Sequence, residues 1–121
     1  MPEEQRFRYD AVYEKTGMMV FISHLDLMRL FRRGIRRAGL PFVLTGGFTP
    51  RVKISMPMAL KLGRESMDEK MTIWLKEEVD PALLREAVNS QMPEGVRLKK
   101  VTIFDQRKEI ENGKKARQKE E

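Results

Sequence analysis

Apolar and polar positions along this chain follow two different periods. From Arg6 to Glu14, the residues Phe7, Tyr9, Ala11 and Tyr13 alternate with Arg6, Arg8, Asp10 and Glu14 on most of the other face. A period of two with aromatic residues predicts a β-strand. Lys15-Thr16-Gly17 is expected to break it, and Met18 to Ile22 is a short apolar lead-in, either more strand or a packed connection. Then the period changes. Leu27, Leu30, Phe31, Gly34, Ile35 and Ala38 fall at i, i+3, i+4, i+7, i+8 and i+11, which is one face of an α-helix. Ser23 can cap that helix with Asp26 three residues later. Gly39 followed by Pro41 marks its end.

Further on, Pro41 to Leu44 begins a second strand that runs into a glycine-rich loop, Thr45 to Lys53, and Ile54-Ser55-Met56 is extended again. Pro57 to Gly63 is either irregular chain or a helical turn. Met71 to Leu75 alternates as a third strand, with Met71, Ile73 and Leu75 on one side. Asp80 is a helix cap and Pro81 the first helical residue. Leu84, Ala87, Val88 and Gln91 continue at helical spacing with Leu83 beside them, and Met92 to Gly95 ends the helix. Arg97 to Phe104 reads as a last strand with Val101 and Ile103 inward.

The order β-α-β-β-α-β predicts an α+β, ferredoxin-like domain. Its four-stranded antiparallel sheet would carry two helices on one face, with right-handed crossovers. Residues 1–105 form that domain. From Gln106 to Glu121 there are six bases, four acids and only Ile110 and Ala116 as apolar residues, so 106–121 is expected to be a charged, disordered tail.

Composition narrows the chemistry. The 121 residues suit one domain, and there is no cysteine. That removes disulfides, thiolate zinc sites, a cysteine nucleophile and a cysteine-ligated iron–sulfur cluster. The longest apolar run, Met18 to Ile22, is far short of the roughly 20 residues that span a bilayer. The acidic, polar start Met1 to Gln5 does not resemble a secretory signal. A cytoplasmic protein with no membrane partner is the expectation.

Charge distribution sharpens this picture. Lys15 to Arg64 holds ten Lys and Arg against one acid, Asp26, a net of +9, whereas the rest of the chain nets −3. Within that segment Arg29, Arg32, Arg33, Arg36 and Arg37 repeat the helical spacing on the side away from the apolar stripe. Such a stripe suits a polyanion, since guanidinium groups bind phosphates bidentately. The bland reading is a solvated face, but Asp26 is the only acid within the helix near enough to pair locally.

The loop Gly46-Gly47-Phe48-Thr49-Pro50-Arg51-Val52-Lys53 is a second candidate. Its glycines allow close backbone approach to a phosphate, Phe48 can stack on a base, and Arg51 and Lys53 can hold the backbone. It lacks the Gly-Lys-Ser/Thr ending of a Walker loop. The competing reading is an ordinary connection, with Gly47 at positive φ and Phe48 in the core.

Three runs carry a resemblance. Phe21-Ile22-Ser23-His24-Leu25-Asp26-Leu27-Met28-Arg29, Arg36-Arg37-Ala38-Gly39-Leu40-Pro41 and Gly47-Phe48-Thr49-Pro50-Arg51-Val52-Lys53-Ile54-Ser55 resemble the bacterial radical-SAM-linked family. Its members are uncharacterised proteins encoded beside, or fused to the C-terminus of, a radical SAM protein. Ser-His-Leu-Asp is the most specific part, and the likeness covers about the first hundred residues. The family loop usually reads Phe-Asn-Pro or Phe-Ser-Pro and then His-Pro-Lys. Here Thr49 replaces the polar residue and Arg51-Val52 replace His-Pro, so no role passes over for that histidine. Family members also continue into a second half, which makes this chain a short member or part of a longer one. The resemblance implies an accessory role beside radical SAM chemistry, with RNA modification as the expected process. Without cysteine the chain itself cannot hold the cluster, so any radical step belongs to the partner.

His24 is the only histidine and falls in the first turn of the helix. It is a weak candidate for a catalytic base in metal-independent RNA cleavage; a structural anchor between the helix start and a neighbouring loop is the favoured reading. One histidine with scattered acids gives no metal-ligand spacing. Trp74, Tyr9 and Tyr13 either line an exposed sheet face for base stacking or pack in the core, and core packing suits most of them. The nine methionines, Met18, Met19, Met56 and Met58 among them, are ordinary core filler before they are a partner surface.

The expected function is a non-catalytic module without cofactor. It would bind tRNA or rRNA for a radical SAM protein through Arg29, Arg32, Arg33, Arg36, Arg37, Gly46, Gly47, Phe48, Arg51 and Lys53. The alternatives are a docking module whose basic face meets an acidic protein, and a ribonuclease using His24.

Overall fold

A computed structural model describes residues 6–57 and 62–104 of the chain. The element order is β1 (Phe7–Lys15), a 3-10 helix (Gly17–Phe21), α1 (His24–Arg37), β2 (Ile54–Ser55), β3 (Ser66–Leu75), α2 (Pro81–Asn89) and β4 (Val96–Ile103). The four strands form one sheet in the order β2-β3-β1-β4. Every neighbouring pair is antiparallel. This is the ferredoxin-like arrangement that the pattern of periods predicts. The tail expected at 106–121, part of the ambiguous stretch from Pro57 to Gly63, and Met58 lie outside the described residues.

One sheet face makes the core. Tyr9, Ala11 and Tyr13 from β1, Met71, Ile73 and Leu75 from β3, and Val96 and Leu98 from β4 are buried there. Leu27, Phe31 and Ile35 of α1 and Leu84 and Val88 of α2 join the same cluster, so both helices cover one face. Burying such side chains contributes about 1.5–3 kcal/mol each relative to exposure. The Phe31 ring meets Tyr13 edge-on, with centroids 5.3 Å apart. At the far end Tyr9 Oη donates to the Val79 carbonyl at 2.7 Å and accepts from the Val79 N–H at 2.6 Å, fixing the approach to α2.

The helix ends follow their sequence signals. Ser23 Oγ accepts from the Asp26 N–H at 3.1 Å, and Asp80 Oδ1 accepts from the Ala82 N–H at 3.3 Å. Each satisfies a donor that the first turn leaves unpaired. Asn89, the last residue of α2, docks that helix to the edge strand β4: Nδ2 donates to the Leu98 carbonyl and Oδ1 accepts from the Leu98 N–H, at 2.9 and 2.7 Å.

Four boundaries differ from the sequence reading. Met18 to Ile22 is not strand; Gly17–Phe21 is a 3-10 helix that leaves Met18 and Phe21 exposed. Lys15 does not break the first strand but ends it, with its side chain buried on the core face. The second strand is only Ile54–Ser55, while Phe42 and Leu44 make isolated bridges to Leu75 and Val52. Pro41 offers no N–H, and the β3 edge is shared between these two segments. β3 begins at Ser66, five residues before the alternation becomes apolar, because its ladder to β1 needs only backbone groups. Val101 and Ile103 do lie against the core. A register shift between Val12 and Tyr13 adds one residue to β4 there, so Val96, Leu98, Val101 and Ile103 all share that face.

Candidate nucleic-acid interface

Helix α1 shows its arginines to a groove. Leu27, Phe31, Gly34 and Ile35 are buried, which turns the intervening positions outward. Arg29, Arg32, Arg33 and Arg36 then line a groove of about 340 Å³, closed on its other side by Pro50, Arg51 and Val52. Arg37 is exposed but does not line it. Thus the structure brings four of the five helical arginines together with the loop arginine.

Two of these side chains are fixed by other contacts. Arg32 is half-buried and donates from Nε to the Val52 carbonyl at 3.1 Å. Arg36 lies over the Phe42 ring, 5.0 Å from its centre. Arg29 makes the one ion pair of this helix among the described residues, with Asp26 at 3.2 Å, and both partners are largely exposed. Burial, followed by the nearby Arg51 charge, holds the Arg32 guanidinium below its usual range. It is still charged at neutral pH. Two cations are therefore held close enough to repel, and an anion between them would relieve that repulsion.

The loop is a short hairpin. The Thr45 N–H donates to the Arg51 carbonyl at 2.8 Å, and the Arg51 N–H donates to Thr45 Oγ1 at 3.0 Å. Gly47 has φ +102°, which an L-residue rarely adopts. Gly46 and Gly47 are exposed. Phe48 is fully exposed at the tip, with 108 % relative accessibility, so it is not a core residue. Val52 is buried between two cations that go separate ways: Arg51 borders the arginine groove, whereas the Lys53 ammonium lies 4.8 Å from the centre of the Trp74 ring.

His24 opens α1 and is half-buried. Its Nδ1 is buried and meets no hydrogen-bond partner among the described residues. Tyr9 and Tyr13 are core residues, and Trp74 alone of the three belongs to the opposite face of the sheet. Sequence reasoning also missed Lys15. It is fully buried, its Nζ donates to the Ile22 carbonyl at 3.3 Å, and burial holds its ammonium below the usual lysine range. The only signal for it was the in-phase position two residues after Tyr13.

Fold and site together define a ferredoxin-like α+β domain with an arginine-lined groove beside an exposed aromatic loop. The chain belongs to the DUF2344 family, uncharacterised proteins conserved in bacteria, whose family model matches residues 8–118. No curated protein matches the chain. No helix among the described residues is long and apolar enough to cross a membrane.

Proposed function

We propose that this domain is a non-catalytic module that holds RNA, tRNA or rRNA, for a radical SAM protein. The observation that supports RNA is the groove itself: Arg29, Arg32, Arg33 and Arg36 facing Arg51, with Phe48 exposed in the same loop, two residues before Pro50. Guanidinium groups supply phosphate contacts, and an exposed ring supplies a stacking surface for an unpaired base. The partner rests on the resemblance of the Ser-His-Leu-Asp and Phe-Thr-Pro runs to the radical-SAM-linked proteins. The radical chemistry lies on that partner, because this chain has no cysteine.

The test is retention of RNA on purification, and binding of bulk tRNA and rRNA fragments, by the full chain and by a triple Arg29/Arg33/Arg36→Glu variant. Arg32 is spared because it also ties α1 to Val52. The variant is expected to lose binding, and Phe48→Ala to weaken it by about fivefold or more with an unchanged melting temperature. Unchanged RNA binding by the triple variant sinks the proposal. Binding of an acidic protein but no RNA would favour the docking alternative. RNA cleavage in chelator that disappears in His24→Ala would favour the ribonuclease.

A further inference from the structure

The face of the sheet opposite the helices carries a row that no sequence period reveals. Lys53 immediately precedes β2, and its ammonium lies 4.8 Å from the Trp74 ring centre on β3. Trp74 is the cross-strand partner of Arg8 on β1. The Arg8 guanidinium lies 4.4 Å from the Phe104 ring centre, and the Phe104 N–H donates to the Arg8 carbonyl at 2.7 Å. Across the sheet the order is therefore cation, ring, cation, ring. All four residues border one cleft of about 570 Å³, together with Arg6 and Glu78. A second cleft of about 580 Å³ borders Arg8 as well, and reaches Ser55, Lys70, Thr72, Lys100 and Thr102.

We infer that this face is a single-strand platform, where an unpaired RNA base stacks on Trp74 while Lys53 and Arg8 hold the phosphates on either side. The inference rests on the RNA-binding reading above and names the form of RNA. Three points support it. The first is continuity. Arg51 borders the arginine groove and Lys53 the open face, so a strand leaving the groove crosses the sheet edge within two residues of chain.

Charge is the second point. Arg6, Arg8, Lys53, Lys70 and Lys100 line the two clefts, against Asp10 and Glu78. Asp10 is already engaged by Arg8 Nε at 3.0 Å and Thr72 Oγ1 at 3.2 Å. The third point is spacing. Neighbouring strands lie about 4.8 Å apart, which sets Trp74 and Phe104, two strands apart, roughly 10 Å from each other. Splayed single-stranded bases can meet two such rings, but a duplex keeps its base faces inside its own stack. Lys53 covers the Trp74 ring in the free protein, and stacking a base outweighs an exposed lysine–ring contact. The displaced ammonium then finds a phosphate.

Trp74 is the sole tryptophan, so its emission reports this face alone. The full chain is titrated with a fluorescein-labelled single-stranded RNA and with a hairpin duplex of equal charge, following RNA anisotropy and Trp74 emission together. The single strand is expected to bind with quenching of Trp74. Trp74→Leu should bind it about tenfold more weakly, whereas Trp74→Phe, which keeps a ring, stays within about threefold of the parent. Single-strand binding that leaves the emission unchanged overturns the platform and leaves the arginine-groove reading standing. Absence of binding to either RNA overturns both. Equal quenching by polyglutamate overturns the platform in favour of an acidic protein segment. A Trp74 emission that changes when residues 105–121 are deleted, with no quenching by RNA in either form, overturns it in favour of the chain's own C-terminal residues.

Discussion

Arg32 donates from Nε to the carbonyl oxygen of Val52 at 3.1 Å, so one residue of the basic helix also holds the loop that faces it. Arg33, its neighbour, is exposed and lines the same groove. The two arginines should therefore separate in mutagenesis. Arg32→Ala removes a hydrogen bond from a half-buried charged donor and leaves the Val52 carbonyl without it, at a cost of about 1–2 kcal/mol. Arg33→Ala should stay within about 0.5 kcal/mol of the parent. Both should weaken RNA binding. Urea denaturation and RNA binding on the two variants check this split.

Tyr13 and Lys15 give the fold opposite responses to alkali. Burial, with a smaller effect of Glu69, pushes the Tyr13 phenol up to about 12. Between pH 10 and 12 the unfolded chain releases this proton while the folded chain keeps it. Tyr13 therefore contributes a loss of stability as pH rises through that window, about 3 kcal/mol at most. Lys15 is lowered by burial, so its contribution rises with pH until about 10.5, where the unfolded lysine also loses its proton. Because Tyr13 Oη is buried without a partner among the described residues, Tyr13→Phe should raise stability at neutral pH by about 1 kcal/mol. It should also flatten the decline above pH 10. Unfolding free energies of parent and variant from pH 7 to 12 check both statements.

Gly95 is required by its surroundings. It has φ +99°, and a Cβ there would lie 2.5 Å from the Thr16 carbonyl oxygen, backbone that cannot swing away. The Gly95 carbonyl also accepts from the Thr16 N–H at 2.8 Å, joining the start of β4 to the end of β1. Gly95→Ala should cost about 2 kcal/mol or more, from the left-handed conformation and the overlap together. A thermal melt checks it against Gly46→Ala, where a Cβ meets nothing within 4 Å and little change is expected.

Much of this fold was legible because its elements announce themselves locally. Ser23 and Asp80 cap as their positions suggest, and the stripe from Leu27 to Ala38 lies against the core. The first half of β3 was not legible, since Ser66 to Lys70 holds Met67 as its only apolar residue and its order comes from pairing with β1. Lys15 is assigned by sequence to the break with Thr16 and Gly17, because a lysine followed by threonine and glycine reads as the start of a turn, whereas it closes the strand on its buried face. Of the site, the helical arginines were visible as a stripe. Their meeting with Arg51 was not, because it depends on where the Val52 segment docks. The row of Lys53, Trp74, Arg8 and Phe104 joins residues from four separate places in the chain, and nothing in local periodicity links them.

The most direct test of the account is the salt dependence of RNA affinity. If the five groove arginines each displace a counterion from single-stranded RNA, log K should fall with log[salt] at a slope of about −3 to −4. The Arg29/Arg33/Arg36→Glu variant should bind at least a hundredfold more weakly in low salt and show a slope shallower than the parent's by about 2. Parent binding that is insensitive to salt, or a variant with the same affinity and slope as the parent, would contradict the arginine groove as the RNA site.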